Sequence, residues 1–358
     1  MRQRTQARPV TKHGVVPLRV RVLGLLLLAC VGVGCPCVRG AVNASPGLRW
    51  WLFSNFGAEK MCPEMLKRGA PLKLSADGNT IGRFFPSRCT HQVNDQAQTV
   101  TIYFGGSGFA WTPIAGRVGF SCDAAVEYGV DFQMTDEAVY VWAKMRRSVR
   151  GPDFKIGSIE NKVVDWAAKA AGFLTSTFGN QIVQSQLSNG FTVVHTDAGD
   201  EFSLGLLQPP ARPKHPFAAS GEDHFTFANE TTEVRYDQID FLGPFEVADD
   251  DQALFLRFRL QGSPVDVLLL YRGVGDLWRE GMQLGAALGP PPQPALQTWV
   301  LQPGPDQRRL IPLAKGQYYV VIDNSSRIGT VNPPWNPLAV IGGNSAVVSY
   351  TAELGDAE

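Results

Sequence analysis

The sequence predicts two successive folds. The first is an α+β unit, a curved antiparallel sheet packed with one long helix, and the second is an all-β unit of sandwich type. Three observations carry this reading. Short runs of alternating apolar residues, divided by Gly, Pro or Asp turns, recur along most of 100–350. One interval, Ser158 to Leu187, instead repeats apolar residues at three- and four-residue steps. Finally, Pro209, Pro210, Pro213 and Pro216 interrupt the chain within eight residues and mark a linker.

In the first unit, alternation is clearest in Val100-Ile102-Phe104, in Val126-Tyr128-Val130-Phe132-Met134 and around Val139-Tyr140-Val141-Trp142. Turns are expected at Asp77-Gly78-Asn79, at Gly105-Gly106-Ser107-Gly108 and at Thr135-Asp136-Glu137. The helix is expected to open at Ser158, with Glu160 in its first turn, and to stop at Asn189-Gly190. Val163, Trp166, Ala170, Phe173 and Leu174 lie on its apolar face. Phe191–Val194 and Phe202–Leu206 come next as strands about an Asp197–Asp200 turn. Beyond the prolines, strands are expected at Leu254–Leu260, Val265–Tyr271, Thr298–Leu301, Tyr318–Ile322 and Ala346–Tyr350. The resulting division is 1–29 signal peptide, 30–60 tether, 61–208 α+β domain, 209–216 linker and 217–358 β-sandwich domain.

The N-terminal residues read as a targeting segment. Arg2, Arg4, Arg8, Lys12, Arg19 and Arg21 precede the apolar run Val22–Ala29 without an intervening acid, the order of an export signal. The run ends in Leu27-Leu28-Ala29-Cys30, which resembles the bacterial lipobox. That resemblance implies cleavage before Cys30, a diacylglycerol thioether on its sulfur and acylation of the new amino terminus. Cys35 is the second candidate for lipidation. Two other readings of the same residues stay open. One is a plain signal cut near Gly34 or Gly40, and the other an uncleaved anchor between Arg21 and Arg39.

All six cysteines lie in the first 122 residues: Cys30, Cys35, Cys37, Cys62, Cys89 and Cys122. Export favours oxidation, and Cys62–Cys89 is the expected disulfide, with Cys122 left as an alternative partner by spacing alone.

Charge narrows the function. The chain holds 33 Lys+Arg and 33 Asp+Glu, so it lacks the basic excess of a nucleic-acid binder. Six of the bases sit in the targeting segment, and its removal leaves an acidic mature chain. On that balance, attachment to a membrane is expected through lipid rather than through charge.

No catalytic residues are assigned. The nucleophile elbow, the P-loop, the dinucleotide fingerprint and the zinc-protease helix are all missing from the sequence. His195 with Asp197, two apart at a strand end, is the one acid–base arrangement to consider. No cofactor or metal is expected. Asp249, Asp250 and Asp251 are weak calcium candidates that read better as a solvated hairpin. Trp335, between prolines, and Tyr319 are the aromatic candidates for a binding surface.

Val265-Asp266-Val267-Leu268-Leu269-Leu270-Tyr271 and Leu313–Ile322, with its Gly316 and Tyr318-Tyr319, resemble the prepeptidase C-terminal-like domain of secreted bacterial proteins. The resemblance implies a jelly-roll-like β-sandwich with a binding or stabilising role. The function expected is a non-enzymatic cell-envelope lipoprotein at the outer membrane or cell surface. It would bind an apolar ligand, such as a lipid held between the 158–187 helix and its sheet, or a protein or glycan partner. The competing class is a secreted hydrolase with an accessory β-sandwich.

Overall fold

The structure, a computed structural model, describes residues 36–73, 78–112, 115–161, 188–218, 224–334 and 345–357. The chain divides into two bodies, 1–46 and 47–358. In the first, Pro36–Ala44 form a helix, α1, in which Cys37 is an exposed free thiol.

The larger body opens with helices where a tether is expected. α2 (Pro46–Leu52) passes through a wider π-type turn at Phe53–Gly57 into α3 (Ala58–Lys67). Trp50, Phe53, Ala58, Met61 and Met65 recur at helical spacing and pack into one apolar cluster. Glu59 in the first turn of α3 and Lys67 in its last complement the helix dipole. No helix among the described residues is long and apolar enough to cross a membrane.

The rest is mostly β. The strands ahead of the last helix begin with β1 (Ala70–Lys73), β2 (Thr80–Asn94), β3 (Thr99–Thr112), β4 (Gly116–Met134), β5 (Val139–Ile159), β6 (Phe191–Thr196), β7 (Gly199–Leu204), β8 (Phe225–Val234) and β9 (Gln238–Val247). β10 (Gln252–Gln261) and β11 (Val265–Tyr271) lead into helix α4 (Arg272–Gln283). β12 (Gln297–Leu301), β13 (Gln307–Pro312), β14 (Gly316–Asn324) and β15 (Ala346–Asp356) complete the chain.

Eleven strands form one sheet in the order β1-β2-β3-β4-β5-β6-β7-β8-β15-β10-β13. A parallel bridge, Thr80 to Thr232, also joins β2 directly to β8, so β2 through β8 close on themselves. The second sheet has the order β12-β11-β14-β9.

Three apolar clusters organise these sheets. Val100, Ile102, Phe104, Phe120, Val126 and Tyr128 point to the side covered by α2 and α3. Leu256, Phe258 and Val348 of the large sheet meet Leu242, Val267 and Val320 of the second. On the other side of the second sheet, Phe241, Leu270 and Val321 meet Val274, Trp278 and Met282 of α4, together with Phe85 and Phe109 of the large sheet. The second sheet is therefore covered on both sides. That is why Val265–Leu270 is buried at every position, apolar except for Asp266, rather than alternating between buried and exposed.

Two expected elements are corrected. No helix starts at Ser158, because β5 runs through Ile159 with Ser158 opposite Gly119 of β4. The Ser158 hydroxyl lies 3.3 Å from the carbonyl of Met282 and 2.9 Å from that of Gln283, at the end of α4. The remainder of that predicted helix, 162–187, lies outside the described residues. Gly105-Gly106-Ser107-Gly108 is not a turn but the middle of β3. The glycines serve close backbone approach there: a Cβ on Gly106 would sit 2.2 Å from the carbonyl oxygen of Phe85 on β2.

Candidate functional site

The expected disulfide is present. Cys62 of α3 and Cys89 of β2 are bonded with Cα atoms 5.3 Å apart, tying the helical cover to the sheet beneath it. Cys122 is free and buried on β4, and burial pushes its thiol up to about 12, which keeps it protonated and unreactive. Cys30, Cys35 and Trp335 lie outside the described residues.

The other candidates separate rather than converge. Tyr319 is buried, 1% exposed, with its hydroxyl donating to Asp276 Oδ1 at 2.8 Å. Alternation on β14 sends Tyr318 to one apolar cluster and Tyr319 to the other, so covering both faces leaves neither ring at a surface. Asp249, Asp250 and Asp251 sit in the β9–β10 connection. The Lys315 N–H donates to Asp250 Oδ1 at 2.7 Å, and no group of three such ligands able to hold a metal occurs among the described residues.

His195 pairs with Asp200 rather than Asp197, because the β6–β7 hairpin places 195 directly opposite 200. The Nδ1–Oδ1 distance is 2.5 Å, and that hydrogen bond raises the imidazole pKa and lowers that of the carboxyl. The histidine side chain is 61% exposed, an open position on a hairpin rather than a cleft.

A surface not apparent from the sequence lies on the side of β3–β5 away from the first apolar cluster. On β4, Val118, Phe120, Cys122, Ala124 and Val126 point into the cluster, so Ser121, Asp123, Glu127 and Gly129 lie on the other side. β5 adds Lys144, Arg146, Arg147, Arg150 and Lys155, and β2 adds Arg88. Two glycines make room for the arginines to lie flat. A Cβ on Gly129 would meet Arg146 Nε at 2.6 Å, and one on Gly105 would meet Arg88 Nη2 at 2.7 Å. Arg88 is paired with Asp123, and Arg147 Nη2 lies 2.9 Å from Glu127 Oε2.

The register of β4 on β5 shifts three times in this stretch, between Asp123 and Ala125, between Ala125 and Val126, and between Glu127 and Tyr128. Such bulges bend a strand and re-aim its side chains. Here they leave Val149 without a cross-strand partner, 45% exposed between Arg147 and Arg150. Gly151, at φ +67°, turns the backbone back toward β4. Arg88, Asp123, Arg150, Pro152, Asp153 and Lys155 line an open groove of about 640 Å³ on this side. On its other edge β5 pairs with β6 only over Val139–Ala143, so from Lys144 onward no strand among the described residues covers that edge.

Compared with known proteins, the chain matches no family model and shows no significant similarity to any curated protein.

Proposed function

We propose that the chain is an exported, non-enzymatic protein of the cell envelope, held to a membrane by a lipid on Cys30 and presenting its β-rich body to a partner outside the cytoplasm. The Cys62–Cys89 disulfide carries this reading. A disulfide joining the helical cover to the sheet persists in an oxidising compartment and is out of place in a reducing one. The basic, acid-free run ahead of Val22–Ala29 and the Leu27-Leu28-Ala29-Cys30 tetrad supply the route and the anchor. Two or more acyl chains hold a protein on a bilayer where a single chain does not.

The fold we infer for 225–356 is a jelly-roll-like β-sandwich. Along the chain, β8, β10, β13 and β15 belong to the large sheet, while β9, β11, β12 and β14 belong to the second. Successive strands thus cross between layers at nearly every connection, and one apolar cluster draws residues from both. A filled sandwich of this kind suits a binding or spacing role, with specificity placed on its outer surfaces and on the β3–β5 side.

The test is metabolic labelling with palmitate in wild type and in Cys30→Ala, with membrane fractionation of both. Label and membrane association that disappear in Cys30→Ala support the anchor. An unlabelled, freely soluble wild type overturns it. A label retained in Cys30→Ala and lost in Cys35→Ala moves the anchor to the second cysteine.

A further inference from the structure

We propose that the outward side of β3–β5 is a docking surface for anionic lipid headgroups, with Lys144, Arg146, Arg150 and Lys155 as its phosphate contacts and Val149 as its apolar tip. This surface is separate from the lipid anchor and does not require it. The membrane is then the partner met by the folded body.

Charge is the first argument. Residues 144–155 hold five cations, Lys144, Arg146, Arg147, Arg150 and Lys155, against the single acid Asp153. Of these, Arg147 is engaged with Glu127, and Arg88 on β2 with Asp123. Among the described residues, Lys144, Arg146, Arg150 and Lys155 have no ion-pair partner. A chain-wide balance hides such a stretch, because a local field decays within about a Debye length, roughly 8–10 Å, of the charges that make it.

Shape is the second. Lys144 lies opposite Gly129 and Lys155 opposite Ser121, so at about 3.3 Å per residue of β4 the cations span roughly 25 Å. The groove beside them is open rather than enclosed. A spread row of cations on an open face matches a plane of many phosphates, not one phosphate in a pocket. Outward Gly129 and Gly105 keep the floor low, so the guanidinium groups lie across it.

The exposed valine is the third. Cations and bulges on a free strand edge also discourage pairing with another chain. That purpose would account for the cations of β5, but it gives no reason to leave an apolar side chain outermost. A small apolar residue flanked by Arg147 and Arg150 is the arrangement that reaches the acyl boundary while the charges remain at headgroup level.

The experiment is co-sedimentation of the unlipidated full chain, made by cell-free synthesis under oxidising conditions, with phosphatidylcholine vesicles with and without phosphatidylglycerol. The comparison is between wild type and Arg146→Gln/Arg150→Gln/Lys155→Gln, which carry the same N-terminal bases. Wild type is expected to favour the anionic vesicles, and the triple variant to bind them about tenfold or more weakly, with a shallower salt dependence. Val149→Ser, at an exposed position, is expected to weaken binding several-fold without altering its salt dependence. A control, Lys60→Gln/Arg308→Gln/Lys315→Gln, removes as much charge elsewhere and is expected to bind like wild type. Equal binding by wild type and the triple variant overturns the proposal. So does wild-type binding to a soluble sulfated polysaccharide with none to vesicles. Because no step needs Cys30, a failed palmitate label leaves this result standing, and a failed vesicle result leaves the anchor standing.

Discussion

Arg83 of β2 and Asp240 of β9 are joined inside the protein, Arg83 Nε lying 3.0 Å from Asp240 Oδ1 across 157 residues of sequence. The guanidinium also meets Glu230 at 2.8 Å and Tyr350 at 3.2 Å, while the Thr232 hydroxyl donates to Asp240 at 2.7 Å. Burial opposes the charge on Arg83, and Asp240 and Glu230 more than reverse that, so its pKa stands well above the ordinary value. Arg83→Met strands the buried carboxylate of Asp240 and the part-buried one of Glu230 and is expected to cost about 3–5 kcal/mol in urea unfolding. Arg83→Met/Asp240→Leu, which removes one stranded acid, is expected to recover part of that loss. If the single variant unfolds with the wild-type midpoint, this network does not hold the two sheets together.

The disulfide closes a loop of 27 residues. Cys62→Ala/Cys89→Ala is expected to lose about 2–4 kcal/mol, and reductant is expected to bring wild type to the same stability. Cys122 supplies an internal control. With its thiol pushed up to about 12 by burial, it should resist iodoacetamide in the folded state and react once urea exposes it. Rapid labelling of Cys122 in the native protein would contradict this packing.

Asp323 of β14 lies opposite Asp266 of β11, and its Oδ1 accepts the Ser325 N–H at 3.0 Å. Burial, reinforced by Asp266, raises its pKa from 3.8 to about 7. A raised carboxyl pKa means that the neutral form suits the folded state. Its contribution is complete below the unfolded value and is lost as pH rises through about 7. Asp323→Asn, neutral at every pH, is expected to flatten the fall in stability across this window. Near pH 8 it should gain on the order of 1–3 kcal/mol over wild type. Parallel pH profiles for the two proteins would show that Asp323 ionises as it does in water.

Alternation made part of the fold legible from residues alone. Val100–Phe104 and Val126–Met134 have one buried and one outward side, and both fall in strands. β9 escaped because both its sides are buried and Gly243-Pro244 interrupts it, removing both period and propensity. α4 escaped because Gly273, Gly275 and Gly281 make it a poor helix by composition. Gly275 is needed nonetheless, since a Cβ there would come within 2.3 Å of the Tyr319 ring. Tertiary closeness overrode local preference at that position. The cationic run 144–155 is visible in the sequence, but the chain's equal numbers of acids and bases conceal it. The open groove required Arg88, 56 or more residues distant from that run, and only the fold places it there.

The double engagement of β8, bridged to β2 at Thr232 and laddered along β15, makes one strand the seam of two architectures. Cutting the chain within 209–216 and discarding the C-terminal part would strip the seam away. β2 would then lose its bridge at Thr80 and β7 its bridge at Gly199, so β2 through β7 would no longer be closed by β8. The prolines between the halves thus mark a pause in regular structure without marking a place of independence. Heat should melt the body in one cooperative event, and fragments made at that pause should cling to one another instead of standing alone.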